Sequence, residues 1–99
     1  MSALFERLAS SMKPHPRKAQ ILIEVRGRED MDEVLGLLQK ERIRVMEWEI
    51  LGNGNPLCIM VYVPSSEMRT AVLRLSEAGY ARVKGLNAPE GMHAGRERG

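Results

Sequence analysis

Cysteine, histidine and aromatic side chains are scarce in this chain, and each shortage removes a class of function. Cys58 is the one cysteine, so neither an internal disulfide nor a thiolate metal cage can form. A ferredoxin-like heavy-metal carrier needs two cysteines in its first loop. Cys58 instead stands alone in a strand-like run and reads as a buried structural thiol. The two histidines, His15 and His93, fall in a proline-containing linker and in the C-terminal segment, where no further ligands converge. With no histidine inside the folded region, Ser65 and Ser66 lack an activating base and read as helix caps. No glycine-rich phosphate loop is present. Glu24, Glu47 and Glu49 share a sheet, but no pocket that would shift their pKa values is legible. The expectation is a protein with no catalytic residues, no cofactor and no metal ion.

Long apolar runs are missing too. No stretch approaches the ~18 consecutive apolar residues of a membrane-spanning helix, and Glu6 and Arg7 interrupt what would be the apolar core of a signal peptide. The reading is a cytoplasmic protein with no membrane partner. Aromatic residues make up 4% of the 99 residues, and the net charge is only +2. RNA-recognition modules stack bases on aromatic pairs in two central strands. Here those strands read ILIEVRG and LCIMVYV, with Tyr62 but no pair, so a nucleic-acid partner is not expected.

What the chain does have is a soluble composition, 43% apolar and 28% charged, enough for one small domain with one two-layer core. Residues 2–12 place Leu4, Phe5, Leu8 and Met12 at helical spacing, a short amphipathic arm that needs a surface to pack on. Pro14 and Pro16 make residues 13–18 an extended linker. Residues 20–26 alternate as a strand, with Ile21, Ile23 and Val25 on one face. A helix follows, capped by Asp30, with Met31, Val34, Leu35 and Leu38 on its buried stripe. Gly36 in its middle implies a close approach or a drift.

Residues 42–63 form the centre of the pattern: two strand-like runs, 42–51 and 57–63, joined at Asn53-Gly54, a strong hairpin signal. In the first run Ile43 and Val45 share one face and Met46, Trp48 and Ile50 the other. A β-bulge near Val45-Met46 reconciles the two halves, as does a strand covered on both faces. A second helix follows Ser65-Ser66, with Met68, Val72 and Leu75 as its stripe, and Gly79 ends it. A last strand spans residues 80–86. The order is β-α-β-β-α-β: an α+β, ferredoxin-like sandwich of a four-stranded antiparallel sheet with two helices on one face, plus an N-terminal arm or helix. The domain is expected over residues 19–87, after an arm and linker at 1–18 and before a flexible tail at 88–99.

Two surfaces stand out as candidates. The loop Gly27, Arg28, Glu29 and Asp30 precedes a helix N-terminus, where free amides favour an anion and Arg28 offers a bidentate partner. On the sheet face left bare by the helices, Leu22, Met60 and Tyr62, with Met46 and Trp48, would form an apolar patch, an interface by nature. A second copy of the chain, the 2–12 arm folded back, or a small ligand would each cover it.

Residues 20–86 resemble the ACT-type regulatory domains. The matching features are the element order, Gly27 after the first strand, the run VLGLLQKE followed by RIRVMEWEI, and the ending SEAGYARVKG. The family often has Asp-x-Pro-Gly in the loop, where this chain has Arg-Gly-Arg-Glu-Asp, and Gly-Ile-Asn where it has Arg42-Ile43-Arg44. The resemblance implies a non-catalytic module that works as a homodimer or higher homo-oligomer and binds an amino acid through Gly27, Arg28, Glu29 and Asp30. It also implies a stand-alone sensor or accessory subunit. The alternative is a protein-interaction or oligomerisation module with no small ligand.

Overall fold

The computed structural model describes residues 3–54 and 56–89. Its elements run α1 (Ala3–Ser11), β1 (Ala19–Val25), α2 (Arg28–Lys40), β2 (Glu47–Leu51), β3 (Leu57–Val63), a single 3-10 turn (Ser65–Glu67), α3 (Met68–Glu77) and β4 (Val83–Leu86). The strands form one antiparallel sheet in the order β2-β3-β1-β4. This is the ferredoxin-like arrangement, with the two long strands β1 and β3 paired at its centre. No helix among the described residues is long and apolar enough to cross a membrane.

Strand alternation decides what the sheet buries. Directly paired residues of antiparallel strands share a face. Ile21 faces Val61 and Ile23 faces Ile59, and both pairs are fully buried with Val34 and Leu38 of α2 and Ala71 and Leu75 of α3. Gly85 of β4 lies where α3 comes closest: a Cβ there would stand 2.9 Å from Met68 Sδ and 3.0 Å from Val72 Cγ2.

The opposite face is also covered. Leu22, Cys58 and Met60 form a second apolar cluster, packed under Leu4, Phe5, Leu8, Ala9 and Met12. A helix as short as α1 is marginal alone; each apolar side chain it half-buries contributes on the order of 1 kcal/mol. Polar ties hold it in place. Lys84 Nζ donates to the Ala9 carbonyl at 3.2 Å, near the negative end of α1, and Gln20 Nε2 donates to the Lys13 carbonyl at 2.5 Å. In the linker His15 Nδ1 accepts the amides of Arg17 and Lys18 at 3.0 and 3.1 Å. That turn sends Lys18 to its ion pair with Glu47. The molecule therefore has three layers, α1 on one side of the sheet and α2 with α3 on the other.

Both main helices end alike. After α3, Gly79 takes φ +107, its N–H bonds to the Ser76 carbonyl at 3.1 Å and that of Tyr80 to Leu75 at 3.2 Å. These are the two bonds of a Schellman ending. After α2, Arg42 takes φ +63, its N–H bonds to Gln39 at 3.0 Å and that of Ile43 to Leu38 at 2.9 Å. Arg42 is thus a helix terminator, not the first residue of a strand.

Several local expectations change. β2 begins at Glu47, five residues later than the run from Arg42. Among the described residues of the hairpin loop Gly52 is left-handed, at φ +92, while Asn53 and Gly54 are not. The Asn53-Gly54 signal therefore marks a hairpin, with a left-handed position at Gly52 rather than at Asn53 or Gly54. α3 starts from a 3-10 turn with no side-chain cap; neither Ser65 nor Ser66 caps it. Gly36 makes no close approach, since a Cβ there meets nothing within 4 Å. The tail from 90 onward lies outside the described residues.

Candidate functional site

α2 begins at Arg28 with Gly27 as its N-cap, two residues before the expected start at Asp30. Gly27 is extended, at φ −173 and ψ −169, and a Cβ on it would meet nothing within 4 Å. Neither backbone conformation nor a close neighbour requires glycine there. Asp30 does not cap the helix from in front. From the third helical position its carboxylate reaches back to the Arg26 N–H at 3.0 Å and to the Arg26 guanidinium at 3.2 and 3.3 Å. The guanidinium bond first, and the backbone bond second, hold Asp30 below the usual carboxylate range. Asp30, one of the four predicted ligand residues, is therefore committed to the loop itself, only 7% exposed. Arg28 and Glu29 are exposed.

These residues line two adjoining depressions. An open hollow of about 540 Å³ is bounded by Arg26, Gly27, Arg28, Glu29 and Asp30. Beside it, sharing Arg26 and Asp30, a cleft of about 380 Å³ lies between the end of β1, the start of α2 and the connection from α3 to β4. Glu24, Glu33 and Tyr80 complete its polar lining. The Schellman ending at Gly79 aims Tyr80 back across to α2, where its hydroxyl donates to Glu33 Oε1 at 2.6 Å. Burial, then this bond, push the phenol pKa up, so it stays a donor. Glu24 Oε1 is buried with no aligned hydrogen bond, but Arg82 Nε lies 3.0 Å away. Arg82 also reaches Glu6 of α1 at 3.7 Å. The cleft thus sets carboxylates beside a guanidinium and a helix N-terminus. Among the described residues no group of three or more His, Cys, Asp or Glu is placed to hold a metal ion.

The predicted interface set divides. Leu22, Met60 and Tyr62 do share the face away from α2 and α3, but that face is occupied by α1. Tyr62 lies at its margin, donating to Glu49 Oε2 at 3.2 Å, with the His15 ring 6.0 Å away edge-on. Trp48 does not join them. It pairs with Val61 and Ile50 pairs with Ile59, which puts both on the α2 side. The cause is a bulge: the Met46 N–H donates to the Tyr62 carbonyl at 2.7 Å, although Tyr62 is paired with Glu47. Two consecutive residues oppose one, so the alternation shifts by one residue. Ile43, Val45, Trp48 and Ile50 then face the same way, and Met46 is left 43% exposed.

Cys58 is 1% exposed, its thiol pushed up to about 11 by burial and then by Glu24. It is an inert core residue in this state.

No protein-family model matches the chain, and no curated protein matches it either. Glu33 and Tyr80 are the cleft residues that sequence reasoning missed. Gly79-Tyr80 carried the signal: a helix that stops at glycine in a Schellman ending must turn the next side chain back onto the protein. Glu33 was hidden because a helix expected to start at Asp30 puts it in the first turn, where the dipole alone explains an acidic residue; in the structure it lies beyond the first turn of α2.

Proposed function

We propose that this chain is a non-catalytic regulatory domain that binds an amino acid or a similarly sized zwitterion in the cleft between the end of β1, the start of α2 and Tyr80. The observation that supports this reading is the adjacency of opposite charges in a cleft of about 380 Å³, within the range of small-molecule sites. Glu33 suits an ammonium group. Arg28 and the first amides of α2 suit a carboxylate in the neighbouring hollow. Asp30 and Arg26 hold the wall between the two. The reading agrees with the resemblance to ACT-type domains and places the protein in the cytoplasm. It assigns a second copy of the chain as the partner that closes the open side of the hollow at Arg28.

A thermal-shift screen of the amino acids tests the proposal. A ligand at about 100 times its Kd stabilises the native state by about 2.7 kcal/mol. The expected result is one or a few ligands that raise Tm, with the gain lost in Glu33→Gln and in Arg28→Ala. A screen in which no amino acid raises Tm sinks it. Light scattering during size-exclusion chromatography reports the dimer.

The alternative, an interaction module with no small ligand, draws on the apolar face beneath α1. It predicts that removing residues 2–12 creates a new oligomer, whereas the cleft reading predicts that ligand binding survives the deletion.

A further inference from the structure

At the other side of the sheet a groove of about 490 Å³ runs between the C-terminal half of α2 and the edge strand β2. Its lining includes Leu35, Val45 and Trp48 as the apolar part and Arg42 and Arg44 as the charged part, with no carboxylate. Trp48 is 44% exposed. Among the described residues neither guanidinium has a partner: the ion pairs use Lys18, Arg26, Arg74 and Arg82. β2 has a neighbour on one side only, so its outer edge keeps unpaired backbone groups beside the groove. We infer that this edge binds an extended acidic peptide by strand addition, with an apolar side chain against Trp48 and carboxylates on Arg42 and Arg44.

Three features converge on that occupant. A free sheet edge supplies backbone hydrogen bonds to an added strand, and side-chain contacts supply specificity. A half-exposed indole supplies the apolar anchor. Two unpaired guanidiniums with no carboxylate in the groove supply charge complementarity for acidic side chains. The far face of β2 differs: Glu47 is paired with Lys18, and Glu49 accepts from Tyr62. Acidic and apolar residues of the peptide therefore belong at alternate positions, on the Trp48 face, with uncharged residues between them.

A second copy of the chain is a poorer occupant. Antiparallel pairing of β2 with itself about a two-fold axis keeps like faces together. If Trp48 meets Trp48, Glu47 meets Glu49 on both sides of the axis. If Trp48 meets Ile50, Glu49 meets itself. Like charges directly opposite destabilise a strand pair, and self-pairing also leaves Arg42 and Arg44 without anions.

The test uses the full chain, in which Trp48 is the one tryptophan and its emission reports the groove. A capped peptide alternating Asp or Leu with Thr should shift the emission to the blue saturably, as the indole loses water. The same peptide with Lys for Asp should bind about tenfold more weakly, and the double variant Arg42→Glu, Arg44→Glu should reverse that order. A version with N-methylated backbone, unable to donate to the edge, should also lose about tenfold. Equal binding of the Asp and Lys peptides by the wild type overturns the proposal without recourse to any variant. So does undiminished binding of the N-methylated peptide, or a peptide-free dimer in sedimentation that already shields Trp48. Emission that responds to a small aromatic carboxylate but to no peptide overturns it as well. Amino-acid binding in the Glu33 cleft is independent of each outcome.

Discussion

Leu4 and Gly52 fit together so closely that a Cβ on Gly52 would stand 2.6 Å from Leu4 Cδ2. The N-terminal helix and the hairpin loop, 48 positions apart in the chain, meet where the loop takes its left-handed turn, at φ +92. Gly52 therefore meets two demands, one of backbone conformation and one of space. Gly52→Ala should cost about 1–2 kcal/mol for the left-handed backbone and a further ~1 kcal/mol for the crowding. The two parts separate in a double-mutant cycle with Leu4→Ala, read by urea denaturation. Strict additivity of the two substitutions would mean that the contact carries no energy.

Cys58 reports on α1. It lies under the helix, 1% exposed, with a thiol pushed up to about 11, and it is the one cysteine in the chain. Leu8→Asp sets a charge against Leu22 and Met60 and should release α1 without touching the main core. The expected outcome is a thiol-labelling rate at least ~10-fold higher than wild type, because labelling then proceeds through local opening. A rate unchanged from wild type would show that α1 does not control access to this face.

The β-α-β-β-α-β order was legible because it rests on local signals: alternation in β1 and β3, a single apolar stripe on each helix, and Gly79. The same alternation put Leu22, Met60 and Tyr62 on the correct face. It misplaced Trp48: the break in alternation at Val45-Met46 left a bulge and a strand covered on both faces open, and the Met46 N–H bonded to the Tyr62 carbonyl decides for the bulge, which turns Trp48 to the α2 side. The arm at 2–12 was visible as an amphipathic helix, yet its place on the sheet was one of three open choices. That choice depends on long-range fits such as Leu4 against Gly52. In the Gly27 loop the structure changes the part played by Asp30. Asp30 looked like a cap free to meet a ligand, and its tie to Arg26 appears only once β1 and α2 are set at their angle.

Arg42 ends α2 in a conformation that suits glycine better. Its φ of +63 carries about 1–2 kcal/mol of strain for a residue with a Cβ. Glycine restores the loss but adds about 0.4–1 kcal/mol of unfolded-chain entropy. Arg42→Gly should therefore stabilise the fold by about 0.5–1 kcal/mol, seen as a higher urea midpoint at unchanged slope. Because Arg42 also lines the Trp48 groove, the same variant should bind the acidic peptide more weakly. A fall in stability would mean that the arginine stem packs more tightly than its exposure indicates.

Gly36 offers a second, independent gain. It sits in the interior of α2, and an added Cβ meets no atom within 4 Å. Gly36→Ala should raise stability by about 1 kcal/mol through helix propensity alone. Thermal denaturation of Gly36→Ala, Arg42→Gly and the pair should give additive shifts; no gain in the alanine variant would point to a partner that occupies this face of α2.

Asp30 couples the fold to pH at the edge of the candidate cleft. Its carboxylate holds the Arg26 N–H and guanidinium, and those bonds lower its folded-state pKa from the ordinary 3.8. The unfolded chain therefore takes up the proton first as the solution is acidified. The stabilisation is complete above 3.8 and is lost as pH falls through the lowered folded-state value. Asp30→Asn keeps an acceptor for the Arg26 N–H but not the charge, so it should be less stable than wild type by about 1 kcal/mol near neutral pH. Below the ordinary aspartate value the two stabilities should converge. Asp30→Ala removes the acceptor as well, and its deficit should persist in acid. A gap between wild type and Asp30→Asn that stays constant across this interval would refute the role given to the charge. The same titration bears on the cleft: once Asp30 is protonated the wall between Arg26 and α2 loosens, so affinity for an amino-acid ligand should decline over the same acid interval more steeply in wild type than in Asp30→Asn.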